Sequence, residues 1–114
     1  MAEANAIMEQ YLVGVDEHVR ALRDEGLVEL GEKFTLHVSY TGALAERNLQ
    51  IFASRLDVEG ELILARMDSN PAYVLLGVWR RRPGSTVGML MEVLLRLERN
   101  DCVELLDKLR HRKL

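Results

Sequence analysis

Residues 75–106 read LLGVWRRRPGSTVGMLMEVLLRLERNDCVELL, and this stretch decides the fold. Large apolar side chains recur along it every three or four residues, which is the spacing of one face of an α-helix. The Pro83-Gly84 pair interrupts the pattern, because these two residues favour a turn. The stretch therefore predicts three short helices, with apolar faces made of Leu75, Leu76 and Trp79, then Val87, Leu90, Met91, Leu94 and Leu97, then Cys102, Leu105, Leu106 and Leu109.

The same spacing continues upstream to residue 48. Asn70-Pro71 is a helix start signal, since proline has no N–H to leave unbonded at the first helical position. We expect Asp57 to cap another helix between these two points. The side chains predicted to face inward from that helix are Leu62, Ile63 and Met67. Because helices this short are not stable alone in water, they must share one core, and we predict that it includes Phe52, Leu56, Leu76, Trp79, Val87, Leu90, Leu94 and Leu106.

The first third of the chain has a less regular pattern. A helix is predicted from about residue 4 to residue 25, where Gly26 would end it; its apolar face is Met8, Leu12, Val15, Val19 and Leu22. Residues 33–40 instead alternate polar and apolar side chains with the period of a strand, yet no other segment alternates as cleanly. The segment is either an extended or hairpin element or a short helix imposed by tertiary packing, and we favour the helix.

Composition indicates one globular domain. The chain has 114 residues, of which 48% are hydrophobic and 29% charged, which excludes general disorder. A single cysteine excludes an internal disulfide and fits a reducing compartment. The longest apolar stretch, residues 72–79, is far shorter than the ~20 residues of a membrane-spanning helix, and the N-terminus lacks the pattern of an export signal. These features predict a cytoplasmic protein.

The charges are distributed unevenly. Residues 1–57 carry ten acidic and five basic side chains, a net charge of −5, whereas residues 58–114 carry eight acidic and ten basic ones, a net charge of +2. This is either an ordinary solvated surface or a two-ended molecule whose halves attract unlike faces of neighbours. The overall charge of −3 argues against general nucleic-acid binding, which needs a basic surface.

The sequence shows no catalytic constellation. His18, His37 and His111 are far apart, and none is paired with a cysteine or carboxylate at metal-ligand spacing. Cys102 falls on an apolar helix face, where a small core residue is expected rather than a nucleophile. We therefore predict no enzyme activity, no catalytic residue, no metal and no cofactor.

Three consecutive arginines, Arg80, Arg81 and Arg82, directly follow Trp79. They have two interpretations. Cations are favourable at the C-terminus of a helix because of its dipole, so the run could be purely structural. Alternatively, the guanidinium groups form a basic patch that binds acidic groups on a partner.

The residues of the opening stretch resemble the last three helices of a death domain. The shared features are Leu75-Leu76 before Trp79, the Arg82-Pro83-Gly84 turn, Val87-Gly88, Leu90, Glu92, Leu94, Leu97, Arg99 and Asp101. Residues 48–62, NLQIFASRLDVEGEL, are similar to helices two and three of that fold, although Leu49 stands where most death domains have a tryptophan. Within the superfamily the stretch is most similar to adaptors that serve Toll-like and interleukin-1 receptors, and it is also similar to the ectodysplasin-receptor adaptor.

The resemblance implies an all-α, six-helix antiparallel bundle with Greek-key-like connections. Helix one would be residues 34–46 or residues 4–25; we favour the former, with residues 1–33 as an N-terminal helix or arm and residues 34–114 as the death domain. The resemblance also implies a signalling adaptor that binds other death domains and builds helical oligomers in innate-immune or cell-death signalling, without binding nucleic acid or inserting into a membrane. The predicted partner-binding residues are Arg80, Arg81, Arg82, Glu59, Glu61, Arg99 and Asp101.

One alternative comes from a different functional class. Residues 19–30, VRALRDEGLVEL, followed by the alternating segment FTLHVSY, could form a recognition helix and wing of a helix-turn-helix or winged-helix DNA-binding protein. The acidic residues in the same segment count against that interpretation.

Overall fold

A computed structural model of the protein describes residues 17–36 and 42–111. They form six α-helices, namely α1 (Asp24–Leu36), α2 (Gly42–Arg55), α3 (Leu62–Arg66), α4 (Pro71–Trp79), α5 (Val87–Arg96) and α6 (Asn100–Arg110). Two single 3-10 turns, Val19–Ala21 and Glu59–Glu61, precede α1 and α3. Within these ranges the only β-type pairing is an isolated bridge between His18 and Thr86. The predicted all-α, six-helix bundle is confirmed.

The helices surround one apolar core. Helix α1 packs against α4 and α6, α3 packs against α4, and α5 packs against α6. The rings of Phe34 and Phe52 join α1 to α2, with their centroids 4.6 Å apart. Each of the eight side chains predicted for the core is at most 3% exposed. Because the six helices bury their apolar faces together, none depends on its own length for stability.

Asn70 starts α4 as its sequence predicts. Its side-chain oxygen accepts a hydrogen bond from the Tyr73 amide at 3.3 Å, and Pro71 occupies the first helical turn. The Asn70 side-chain amide also donates to the carbonyl of Val28 in α1 at 3.0 Å. Helix α1 can approach this closely because Gly31 has no side chain: a Cβ there would lie 2.6 Å from the Asn70 oxygen. Asn70 therefore caps the start of α4 and also holds α1 against it.

Helices α2 and α5 end in the same way. Asp57 (φ 57°) and Glu98 (φ 58°) follow them in the left-handed conformation. The next amide, of Val58 or Arg99, then donates to the carbonyl five residues earlier, at 2.8 and 2.9 Å, which is the Schellman arrangement. Val58 and Arg99 are both buried, so each turn directs the chain back into the core. The expectation that Asp57 caps a following helix is wrong, because its left-handed backbone ends α2 instead.

Glu98→Gly is expected to raise the free energy of unfolding by about 0.5–1 kcal/mol. Glycine adopts the left-handed conformation without the steric cost that other L-residues incur, and this gain exceeds its loss of chain entropy. Thermal unfolding of the full chain measures the change as an increase in Tm. Glu104→Gly, on the exposed side of α6, is the matched control and should lower stability by about 1 kcal/mol. A Glu98→Gly chain that melts below the parent contradicts the prediction.

The N-terminal predictions need two corrections. Residues 17–23 are not α-helical, and Gly26 lies inside α1 instead of ending a helix. A Cβ at Gly26 would lie 2.9 Å from the end of the Leu109 side chain of α6, so the glycine stands at a close contact between the two helices. Helix one of the bundle is therefore α1, neither residues 34–46 nor residues 4–25. The part of the predicted N-terminal helix in residues 1–16 lies outside the described residues.

The last turn of α1, residues 33–36, is helical although it belongs to the alternating segment. Leu27, Leu30 and Phe34 are spaced as one helix face and are all buried. The helical interpretation that we favoured is confirmed as far as Leu36; the remainder of that segment, residues 37–40, lies outside the described part. The boundary predicted between residues 33 and 34 falls within α1, so the described residues on its N-terminal side pack in the same core as Phe34.

Candidate interaction surfaces

The three consecutive arginines after α4 have different environments. Arg80 is half-buried and pairs with the carboxylate of Asp24, which also accepts a hydrogen bond from the Tyr73 hydroxyl at 2.6 Å. The Tyr73 hydrogen bond and then the Arg80 guanidinium lower the pKa of Asp24. The ionised form is thus favoured by folding, so this contribution to stability is lost as the pH falls through the lowered pKa. Arg80 joins α4 to α1.

Arg82 is also engaged within the fold. Its guanidinium donates hydrogen bonds to the carbonyl oxygens of Leu56 at 2.9 Å and Asp57 at 2.6 Å. It therefore ties the α4–α5 loop to the end of α2, where carbonyl groups lack helical partners. Arg81 is exposed, and its side chain has no hydrogen bond or ion pair with another described residue. We call residues 80–84 the basic loop. Arg81 and Arg82 are both exposed, but only Arg81 makes no hydrogen bond or ion pair with another described residue.

An acidic turn and an apolar helix lie next to each other in the chain. Glu59 is exposed and Glu61 is half-buried in the 3-10 turn that leads into α3. The side chains of Ile63, Leu64 and Met67 that follow are 72%, 62% and 79% exposed. We call these three side chains the α3 face. Large apolar side chains this exposed, grouped on one short helix and its C-cap, are typical of an interaction surface.

The expectation that Ile63 and Met67 face inward is wrong. Helix α3 has only five residues, and it contacts the rest of the bundle through the buried Ala65 and the half-buried Leu62. A helix this short turns the remaining side chains outward because it has one narrow side against the core. The regular spacing in the sequence therefore marked the wrong face.

Arg99 is buried, so the structure does not place it on an interaction surface. Its guanidinium donates to the carbonyl oxygens of Lys33 and Phe34 at 2.8 Å each, and it lies 4.9 Å from the centroid of the Phe34 ring. Those carbonyls belong to the last turn of α1, where carbonyl groups have no N–H partner within the helix. Asp101 completes the arrangement by accepting from Arg99 at 3.0 Å. The two residues that were predicted to bind a partner instead close the end of α1.

Cys102 also belongs to the core. Burial raises the pKa of its thiol to about 12, so the thiolate that a nucleophile or metal ligand requires is disfavoured. Among the residues that the structure describes, no group of three or more histidine, cysteine or carboxylate side chains is arranged to bind a metal. No helix in those ranges combines the length and the apolar composition needed to cross a membrane.

The structure also shows an acidic stripe that the sequence analysis missed. Glu25, Glu29 and Glu32 are exposed along α1. Their spacing of four and three residues places them on one face of that helix. The spacing is visible in the sequence, but it has this meaning only once residues 24–36 are known to be helical.

Comparison with protein-family models matches residues 42–109 to the death domain. The match starts at the first residue of α2 and ends within the last turn of α6, and α1 supplies the sixth helix. Comparisons with curated proteins and with solved structures find no match. Neither the fold nor the family match supports the alternative of a helix-turn-helix DNA-binding protein. The chain therefore belongs to the death domain family, whose members are protein–protein interaction modules of signalling that bind other death domains and are not enzymes.

Proposed function

We propose that this death domain is a signalling adaptor that assembles with other death domains, including copies of itself, through two unlike surfaces. One surface is the basic loop with Arg81. The other is the acidic turn with Glu59 and Glu61 together with the α3 face. The observation that carries the proposal is that an exposed arginine without a partner among the described residues and an exposed acidic, apolar surface occur on one molecule.

The charged side chains of the two surfaces and the apolar side chains of the α3 face would contribute in different ways. An exposed ion pair adds only ~0–1 kcal/mol, so Arg81 and the two glutamates would mainly select and orient the partner. Burying a large apolar side chain is worth about 1.5–3 kcal/mol. Ile63, Leu64 and Met67 would therefore supply most of the affinity once the charges have aligned the two molecules.

Unlike surfaces also determine the kind of assembly. A surface that binds a different surface on its neighbour leaves both ends of a pair unfilled, so the contact repeats into an open or helical oligomer. Such an oligomer would fit an adaptor in innate-immune or cell-death signalling in the cytoplasm. The similarity of residues 75–106 to the Toll-like and interleukin-1 receptor adaptors supports this more specific role.

Arg81→Glu is expected to prevent self-association of the full chain, and so is the double variant Glu59→Arg/Glu61→Arg. Each variant repels its neighbour at one surface, so the dissociation constant should rise by at least about tenfold, or ~1.4 kcal/mol. Each variant also keeps the surface that the other has lost. An equimolar mixture should therefore assemble again, because the native surfaces that the two variants keep still pair and their two reversed surfaces carry opposite charges. Sedimentation velocity at low and physiological salt measures both results.

The control is Glu25→Arg/Glu32→Arg, which reverses two exposed charges on α1 and should assemble like the parent. Arg81 is preferred to Arg82 for the test because Arg82 holds the α2 terminus and its loss would also destabilise the fold. A parent chain that is monomeric at every concentration would refute self-association. A mixture of the two variants that stays monomeric would refute the pairing of these two surfaces.

A further inference from the structure

The sulfur-containing side chains of the described residues differ widely in their exposure to solvent. Met67 is 79% exposed at the C-cap of α3, and Met89 is 46% exposed on α5. Met91 and Cys102 are both buried, and burial raises the pKa of the Cys102 thiol to about 12, which suppresses the reactive thiolate. An oxidant in solution can therefore reach two sulfur atoms in these parts of the chain, and the Met67 thioether is the more accessible of the two.

The backbone around Met67 is fixed, although its side chain extends into solvent. The Met67 amide donates to the Leu64 carbonyl at 3.1 Å, and the Asp68 amide donates to the Ala65 carbonyl at 3.1 Å. The Asp68 side chain then accepts a hydrogen bond from the Asn70 amide at 2.8 Å. None of these hydrogen bonds involves the Met67 side chain, so a chemical change there alters the surface and leaves the backbone in place.

Met67 is the chemically reactive member of the α3 face. Ile63 and Leu64, which complete that face, have hydrocarbon side chains that a mild oxidant does not attack. The thioether of Met67 is oxidised to a sulfoxide, which is polar and chiral and disrupts apolar interfaces that contain methionine. One reaction at one atom can therefore change the character of the whole face.

We propose that Met67 is a site of reversible oxidation and that its sulfoxide closes the α3 face to partners. Hydrogen peroxide is the oxidant: one of its oxygen atoms bonds to the Met67 sulfur as the O–O bond breaks, and the other leaves as water with both hydrogens. The sulfur gives up two electrons, and the peroxide accepts them. A methionine sulfoxide reductase reverses the step by removing the oxygen as water while two thiols become a disulfide. The effect on partner binding rests on the proposed function.

The sulfoxide opposes binding because its oxygen is a polar acceptor. Burying such a group without a hydrogen-bond donor costs free energy, and the hydrocarbon side chains of Ile63 and Leu64 offer none. The dissociation constant of self-association should therefore rise by about tenfold when Met67 is oxidised. The fold should be unaffected, because the Met67 side chain lies outside the core.

Limited treatment of the full chain with hydrogen peroxide tests the proposal. Peptide mass spectrometry should find Met67 converted first, Met89 more slowly and Met91 last. Sedimentation velocity should then show a dissociation constant raised by about tenfold, and treatment with methionine sulfoxide reductases and a dithiol should restore the original value. The Tm of the oxidised chain should change by no more than about 3 °C.

Two variants make the result specific to one sulfur atom. Met67→Leu keeps an apolar side chain of similar volume but has no sulfur there, so peroxide should leave its self-association unchanged. Met89→Leu is the matched control and should lose self-association on oxidation as the parent does. Both variants keep Met1 and Met8, so any effect of oxidation at those two positions is common to both.

Oxidation of Met89 or Met91 before Met67 would overturn the site. A chain oxidised at Met67 that self-associates like the untreated parent, or a Met67→Leu chain that loses self-association equally, would overturn the effect on binding. The proposed function is judged separately, from the charge-reversal variants without peroxide. An untreated parent that is monomeric overturns both the proposed function and the effect on binding, while the order of oxidation still decides whether Met67 is the site.

Discussion

Replacing Trp79 with alanine is expected to lower the free energy of unfolding by about 3–5 kcal/mol. Trp79 is the last residue of α4 and is 3% exposed. Its carbonyl accepts hydrogen bonds from the Ser85 hydroxyl at 2.6 Å and from the Arg82 amide at 3.0 Å. The ring thus fills the core where α4 turns into the basic loop, and its removal leaves a cavity that the backbone of the loop cannot close.

Urea and thermal unfolding of the full chain measure this effect. A loss of this size is a large part of the ~5–15 kcal/mol that stabilises a domain, so the variant should unfold at a clearly lower temperature and urea concentration than the parent. Trp79→Phe keeps part of the ring volume and should lose less. Met67→Ala, at a side chain 79% exposed, should change stability by no more than about 0.5 kcal/mol. A Trp79→Ala chain that melts within a few degrees of the parent would show that Trp79 does not support the core.

Replacing Arg99 with alanine is expected to cost a similar amount, about 3–5 kcal/mol. Three groups lose their hydrogen bonds to the guanidinium together: the carbonyls of Lys33 and Phe34, and the carboxylate of Asp101. The hydrogen bonds to the two carbonyls hold the C-terminus of α1, so the last turn of α1 should fray in the variant. Hydrogen exchange of the amides in α1 reports that local effect, and urea unfolding reports the total.

Two variants make the Arg99 result specific. Arg96→Ala removes an arginine one turn away that pairs with Glu92 on the surface at 2.8 Å, and it should cost no more than about 1 kcal/mol. Arg99→Lys keeps the charge, but a single ammonium group cannot match the planar fork that reaches two carbonyls and a carboxylate, so it should recover only part of the loss. If Arg99→Ala and Arg96→Ala prove equally stable, Arg99 does not hold α1 in place.

The α4 to α6 region could be predicted from the sequence because its signals are local. Apolar spacing identifies the helix faces, and Asn70-Pro71 marks a start by chemistry that operates within one turn. Death domain membership depended on the same region, and the family match also ends there. Arg81 could be proposed as a binding residue from the sequence. The sequence could not separate it from Arg80 and Arg82, because those two bind Asp24 and the Leu56 carbonyl, which are distant in the chain.

The errors share one physical cause. The alternating residues 33–36 form the last turn of α1 because Phe34 continues the helix face of Leu27 and Leu30, which meets a core built by later helices. Ile63 and Met67 point outward because α3 is too short to bury more than one side. In both cases the periodicity of the sequence was real, but the partner that decides which face is buried lies elsewhere in the fold.

The amino-acid sequence by itself determined an all-helical chain, the apolar faces of its last three helices and its family, since these depend on neighbouring residues and on spacing. Only the tertiary structure decided that Arg99 is a core residue, that Arg82 is held by the end of α2 while Arg81 is not, and that the His18 ring lies against the carbonyl of Arg82. Each of these depends on a contact across 25 to 66 positions of the chain. Such contacts exist only after the helices have packed, because the packing supplies the carbonyl groups that the side chains bind.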